Sequence, residues 1–98
     1  MIIFKGKRAV CGIQLTIDRV WRYVMQAGET VTVKIIDNAR NIITKVYTSA
    51  DVDSGDKMIT VDLSEAETEA MALGRGTITA YFNDLVVIPP IAIYVKEA

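Results

Sequence analysis

The stretch TVTVKIIDNARNIITKVYT, residues 30–48, decides the fold class of this chain. In its first half Val, Val and Ile occupy every second position from 31 to 35, which is the two-residue period of a strand with one buried face. Residues 37–40 follow as a turn, because Asp and Asn side chains bond to their own backbone and tolerate left-handed conformations. Residues 41–48 return as a second strand, so the stretch predicts an antiparallel hairpin.

Similar short alternations of apolar and polar residues recur along the chain between turn residues, which is typical of an all-β sandwich or barrel. We therefore predict an antiparallel β-sandwich of about seven or eight strands, immunoglobulin-like in general shape, in a single domain over residues 1–98. Pairing is expected to break at Pro89 and Pro90, which cannot donate to a ladder. The further strands are predicted at residues 1–4, 10–17, 20–25, 58–63, 77–82, 85–88 and 91–96.

One short helix is predicted near residues 64–72. The sequence SEAE at 64–67 is a capping box, in which the Ser64 side chain accepts from the Glu67 amide and the Glu67 carboxylate accepts from the Ser64 amide. Glycine favours the position just past a helix, and Gly74 stands there. The helix is expected to cover one end of the sheets.

Composition excludes several classes of protein. The 98 residues fit one domain, and a content of 51% hydrophobic and 23% charged residues is that of a chain that folds, not of a disordered one. With 11 basic and 12 acidic residues, the chain lacks the basic excess of a nucleic-acid binder. MIIF at the start is followed at once by Lys5, so no signal peptide is visible, and no apolar stretch in the chain has the length of a membrane span. We expect synthesis in the cytoplasm, without secretion by a signal peptide.

No constellation of residues in the sequence indicates catalysis or a cofactor. The chain has no histidine, which removes the commonest general base and the His-based nucleophile pairs. Its one cysteine, Cys11, lies in an apolar β stretch and is expected to be a small buried hydrophobe. The acidic loop 51–56, DVDSGD, departs from a calcium loop because Gly55 stands at the fifth position and Asp56 at the sixth. We predict a non-enzymatic protein without a metal or cofactor.

The two C-terminal strands are the predicted interface. LVVI at 85–88 and IAIYV at 91–95 are apolar at every position. Strands with both faces apolar are normally covered on both faces, and a two-sheet sandwich leaves one face of each sheet open. A symmetric homo-oligomer would cover the open face, and a fold of residues 1–4 over it is the alternative. The interface candidates are Leu85, Val87, Ile91, Ile93 and Val95.

Aromatic residues offer a second candidate surface. Aromatic side chains dominate the energetics of many interfaces, and a group of them would form a surface for a carbohydrate or a protein. The other interpretation places the tryptophan in the core and the tyrosines at sheet edges with hydrated hydroxyls. The candidates are Trp21, Tyr23, Tyr47 and Tyr81.

Short motifs follow one another between residues 23 and 82. GET at 28–30 opens a strand, a reverse turn begins at Asp37, VDLSEAET follows at 61–68, and LG at 73–74 precedes a strand that ends in YF. This order resembles the small β-sandwich domains of phage and prophage virion proteins, such as the N-terminal domain of the siphophage baseplate upper protein. Their motifs are G-D-T and D-x-x-G, whereas this chain has Glu29 in the first and Ala39-Arg40 where glycine is usual in the second. The resemblance implies a structural or attachment role and no catalytic residues.

The leading functional expectation is a non-enzymatic structural or assembly module of a bacteriophage or prophage particle that acts through protein–protein contacts. Its expected partners are other virion or assembly proteins and further copies of itself. The chain, made in the cytoplasm, would be incorporated into a virion. The alternative is a stand-alone carbohydrate- or protein-binding β-sandwich module.

The spacing of the acidic loop predicts that a metal chelator leaves the melting temperature unchanged. A ligand that binds only the folded state stabilises it by mass action, so a calcium-dependent protein would lose stability in EDTA. Thermal unfolding with EDTA and with added calcium makes the measurement. A calcium-dependent rise in melting temperature would contradict the prediction.

Overall fold

The chain is all-β, as predicted. The computed structural model describes residues 1–14, 16–17, 20–21, 27–51, 58–82 and 85–98, and for 14, 16–17, 20–21 and 85–89 it describes the backbone alone. Residues 22–25, predicted to belong to a strand, lie outside this part. A one-turn helix, α1 (Glu65–Glu69), and a 3-10 turn at Ser49–Asp51 accompany the strands. The strands are β1 (Ile2–Phe4), β2 (Ala9–Gln14), β3 (Thr16–Ile17), β4 (Val20–Trp21), β5 (Thr30–Ile36), β6 (Ile42–Thr48), β7 (Met58–Leu63), β8 (Gly74–Phe82) and β9 (Leu85–Lys96).

The main sheet has five strands in the order β1-β9-β8-β5-β6. Its neighbouring strands are antiparallel except for β1, which pairs parallel to β9 with Ile3 opposite Val95. β2 and β7 form a separate antiparallel pair, and β3 and β4 form another. The first and the last strands of the described chain are therefore neighbours in one sheet.

The core is shared by the main sheet and the β2–β7 pair. The predicted hairpin is confirmed, since β5 and β6 pair along their whole length. Alternation along β5 and β7 sends one face of each strand into a single cluster of buried side chains. This cluster includes Val31, Val33 and Ile35 from β5, and Ile59 and Val61 from β7. The immunoglobulin-like sandwich stays a prediction.

β9 is one continuous strand of 12 residues, where the sequence predicts two strands separated by prolines. Between the pair Ile78–Ile91 and the pair Ala80–Ile88, β8 advances by two residues and β9 by three. Such a bulge leaves an extra residue out of the ladder, so the missing amides of the two prolines are tolerated there. The expected break is thus a shift of register within the strand.

α1 is a single turn, shorter than the helix predicted near residues 64–72. At its N-terminus the Glu67 amide donates to Ser64 Oγ at 3.2 Å, and the Ser64 amide donates to Glu67 Oε1 at 3.0 Å. The helix stops early because the chain turns Met71 into the core. The next amide, of Ala72, donates to the carboxylate of Asp37 and not to a helical carbonyl. Tertiary contacts therefore override the helical tendency of these residues.

Asp37 holds the turn after β5 together. Its carboxylate is buried and accepts four hydrogen bonds of 2.9 Å, from the amides of Ala39, Asn41 and Ala72 and from the side-chain amide of Asn41. Burial by itself would raise the pKa of Asp37, but these bonds, that from Ala72 foremost, lower the pKa below its usual value. The fold therefore stabilises the charged carboxylate.

Ser64→Ala is expected to destabilise the protein by about 1 kcal/mol, because the Glu67 amide loses its acceptor. Urea unfolding followed by circular dichroism measures the change. Ser64→Asp is the matched control, since a carboxylate at this position also accepts the amide and faces the positive end of the helix. Equal stability of Ser64→Ala and the parent would show that Ser64 is not the cap.

Asp37→Asn is expected to lower the free energy of unfolding by about 2 kcal/mol at neutral pH, because it turns an acceptor into a donor that faces N–H groups. The folded-state pKa of Asp37 is lowered. The contribution of Asp37 to the free energy of unfolding is therefore present above the unfolded pKa of about 4, and it is lost as the pH falls through the folded pKa. The difference between parent and variant should therefore shrink in acid. Urea titrations from about pH 7 down to about pH 2 test this, and a difference that stays constant with pH would contradict it.

Candidate functional site

The structure places two of the five interface candidates in the core, which corrects the prediction for them. Ile93 is 0% exposed and Val95 is 3% exposed, so neither side chain is available for contacts with a partner of the folded chain. The reason is that β9 alternates: these two residues point inward, and Tyr94 between them is exposed. Ile91 is exposed. The candidates whose side chains lie outside the described part are Leu85 and Val87.

An exposed apolar cluster lies on the outer face of the main sheet, which is turned away from the core. Ile2 is the register partner of Tyr94, Phe4 follows on the same face of β1, and all three are exposed. β1 thus lies beside β9 as a further strand and does not fold over it, which corrects the alternative. Two cations border the cluster, since Arg75 pairs with Tyr94 and Lys96 pairs with Phe4. We call Ile2, Phe4 and Tyr94 the outer cluster.

The predicted interface residues do not include the outer cluster. The sequence feature that points to it lies in IAIYV at 91–95, where successive side chains of a strand alternate between the two faces of the sheet. Tyrosine is the one side chain of that stretch with a polar end, so it is best suited to face water. Placing Tyr94 outward sends Ile93 and Val95 inward, as the structure has them.

β6 forms one edge of the main sheet. Within the described strands it pairs only with β5. On its outer face Ile42 and Val46 are 58% and 60% exposed. On its inner face Tyr47 packs against the core, and the Lys45 ammonium lies 2.8 Å from the Glu67 carboxylate. A strand edge with exposed apolar side chains offers both backbone and side-chain contacts to another strand.

The four aromatic candidates do not form one surface in the described part of the chain. Tyr47 is half-buried on the core side of the sheet, where burial raises the pKa of its hydroxyl. Tyr81 points to the opposite face, and the Lys34 ammonium lies 5.3 Å from the centre of its ring. The side chain of Trp21 and the whole of Tyr23 lie outside the described residues.

A polar cleft of about 450 Å³ lies where β5 ends and β8 begins. Arg40 and Arg75 line it together with Asn38 and Thr77. Neither guanidinium forms an ion pair within the described residues. The backbone of Arg40 has a φ of 69°, which is the left-handed region that favours glycine. Two guanidinium groups on one cleft could bind an oxyanion such as a carboxylate.

Groups that could hold a metal ion do not converge in the part of the chain that the structure describes. That part contains no cluster of three or more His, Cys, Asp or Glu residues suited to a metal ion. Asp51, the first residue of the acidic loop, accepts the Thr48 amide at 2.7 Å, and Asp62 on β7 forms an exposed ion pair with Arg8. Burial raises the pKa of the Cys11 thiol, which favours the less nucleophilic protonated form.

Comparisons with protein-family models, with curated proteins and with solved structures find no match to this chain. Over the described ranges, no helix has the length and the apolar character that crossing a membrane requires. An assignment of function therefore depends on the surfaces of the fold, namely the outer cluster, the edge of β6 and the arginine-lined cleft.

Proposed function

We propose that this protein is a non-enzymatic structural module that acts through protein–protein contacts in a bacteriophage or prophage particle. The observation that carries the proposal is the outer cluster, in which Ile2, Phe4 and Tyr94 lie together on the open face of the main sheet. Single exposed apolar residues are ordinary, but a contiguous group of them marks an interaction site. The protein thus works by binding another protein of the assembly.

The residues in and around the outer cluster are of the types that interfaces favour. Aromatic residues and arginine are enriched where interfaces derive most of their energy, and Phe4, Tyr94 and Arg75 belong to these types. Arg75 and Lys96 add positive charge at the border of the cluster. The complementary surface is therefore apolar in its middle and acidic at its margin. The face of a sheet fits another protein better than a small ligand, which prefers a concave pocket.

The particle context depends on the resemblance to the β-sandwich domains of virion proteins. Two features of the turn after β5 support it. Asp37, at the first position of the D-x-x-G turn of those domains, accepts the hydrogen bonds that close the turn here. Arg40, at the position of their glycine, has the left-handed φ that glycine adopts without strain. The partners would be other virion or assembly proteins, and the chain would be made in the cytoplasm and incorporated into the particle.

The alternative, a stand-alone carbohydrate- or protein-binding module, needs an open aromatic platform. Tyr47 packs against the core, and the ring of Tyr81 already carries the ammonium of Lys34. Phe4 and Tyr94 are exposed, but they lie with Ile2 in an apolar group bordered by cations. The described aromatic residues therefore favour contact with a protein over contact with a sugar.

The particle itself tests the proposal. Particles induced in cells that carry the gene, and purified on a density gradient, should contain the chain at a fixed ratio to the major structural proteins in quantitative mass spectrometry. Phe4→Ser should lower this content about tenfold, because it removes a large aromatic side chain from the outer cluster. Val10→Ser on β2, which removes another exposed apolar side chain, is the matched control and should leave the content unchanged.

Both variants should melt at the temperature of the parent, since Phe4 and Val10 are about half exposed in the folded chain. A chain that is missing from purified particles would overturn the proposed function. An equal loss with Val10→Ser would instead show that the contact is not made by the outer cluster.

A further inference from the structure

We infer that two copies of this chain pair through their β6 strands, antiparallel about a two-fold axis at Thr44, so that their main sheets join into one continuous sheet. The inference rests on the proposed function, because it names a second copy as one partner of a module that works through protein contacts. β6 and β1 are opposite edges of the main sheet. The pairing through β6 therefore leaves the outer cluster, at the β1 edge, free for another protein.

The open part of the β6 backbone consists of three residues. In an antiparallel pair, successive residues bond alternately toward the partner strand and away from it. The Asp37 amide donates to the Asn41 carbonyl at 3.1 Å, so Asn41 faces β5 and the residues at 42, 44, 46 and 48 face away. Of these, Thr48 is already engaged, because its amide donates to the Asp51 carboxylate at 2.7 Å. Among the residues that the structure describes, those of β6 with open backbone groups are Ile42, Thr44 and Val46.

This open edge selects one register. An axis at Thr44 pairs Thr44 with its own copy and Ile42 with Val46 of the second copy, which uses all the open residues and no others. The pair of Ile42 and Val46 occurs twice, once on each side of the axis. The three pairs exchange two backbone hydrogen bonds each, about six in total. An axis at Lys45 would instead pair Ile42 with Thr48, whose amide is engaged, and would place two Lys45 side chains opposite each other. The free amides and the charges thus favour the same register.

The side chains match in this register. Ile42 and Val46 have the largest exposed fractions of the large hydrophobic residues in the described chain, and the pairing brings them face to face. Facing β-branched side chains stabilise a sheet. On the inner face, Ile43 comes to lie beside Lys45 of the second copy. The charge of Lys45 is already compensated by Glu67 at 2.8 Å, so the pairing buries no unpaired charge.

The other edge of the main sheet is less suited to such pairing. β1 has three residues, and its Phe4 carbonyl already accepts the Lys7 amide at 3.0 Å. β6 has seven residues, contains neither proline nor glycine, and pairs with β5 without a bulge. A long and regular edge of this kind templates pairing with another strand.

Sedimentation equilibrium on the purified chain tests the pairing. The mass of the parent should rise from 10.8 kDa to twice that value as the concentration increases. Ile42→Glu alone, or Val46→Lys alone, should weaken association about tenfold, because each places a charge opposite an apolar side chain of the second copy. Val10→Lys, at a similarly exposed position on β2, is the matched control and should associate like the parent.

A mixture of the two single variants tests the register. When Ile42→Glu pairs with Val46→Lys about an axis at Thr44, the new Glu faces the new Lys, and the remaining Ile faces the remaining Val. The mixture should therefore associate at least as tightly as the parent, and the double variant should regain the homodimer. With an axis at Lys45, residue 42 would face residue 48 and no such rescue could occur.

A parent chain that stays at 10.8 kDa up to millimolar concentration would overturn the inference. Single variants that associate like the parent would overturn the contact through β6, and a mixture that associates no better than the single variants would overturn the register about Thr44. Equal melting temperatures in circular dichroism, at a concentration at which the parent is monomeric, confirm that the variants lose association and not folding. Failure of the proposed function has a different readout, because the content of the chain in particles is measured whether or not the chain dimerises.

Discussion

The buried carboxylate of Asp37 is the constraint on which the arrangement of the main sheet depends. Its oxygens bind amides from the β5–β6 turn and from the segment between α1 and β8, so one side chain fixes two connections of the chain. The carboxylate keeps its partners only if the turn closes at Asn41, and closure at Asn41 sets the register of β6 against β5. The register in turn decides which backbone groups of β6 point away from the sheet. The position of the open edge is thus a consequence of a single turn.

A second carboxylate connects the helical turn to the same edge strand. Glu67 accepts the Lys45 ammonium and the Ser64 amide, and these bonds, that with Lys45 first, lower the pKa of Glu67. A charge that points inward from an edge strand normally opposes pairing with a further strand, because the charge would be buried. Here Glu67 compensates the charge from within the same chain. Lys45 therefore does not prevent β6 from acting as an interface, although inward-pointing charges on edge strands commonly prevent pairing with another chain.

Local patterns predicted the elements whose contacts lie close in sequence. The hairpin over residues 30–48 and the capping box at Ser64 depend on alternation and on a spacing of three, which neighbouring residues supply. The order of the strands in the sheet is different, because β1 pairs with β9 across most of the chain and no local pattern encodes that contact. The stretch 91–95 is apolar at every position, so its hydrophobicity did not show that Ile93 faces the core, and only the polar end of Tyr94 indicates which residues face outward. The open edge of β6 could not be predicted because it also depends on the order of the strands. Either strand of a hairpin can lie at the edge of a sheet, and only the strand order shows which one does.

An open strand edge carries the risk of unlimited sheet growth, and the geometry of this fold limits that growth. Asp51 engages the last amide of β6, so the edge that remains is centred on Thr44. In the proposed dimer a two-fold axis uses the same residues of both copies, which leaves no β6 edge for a third. The edges that remain are the two copies of β1, each three residues long. Because the outer clusters lie beside those edges, a dimer presents two identical contact surfaces at the far ends of one continuous sheet. When a dimer binds one assembly through one outer cluster, the other outer cluster is held at a high effective concentration near its own binding site. Pairing through β6 would therefore strengthen a weak contact of the outer cluster without a change in the residues of that cluster.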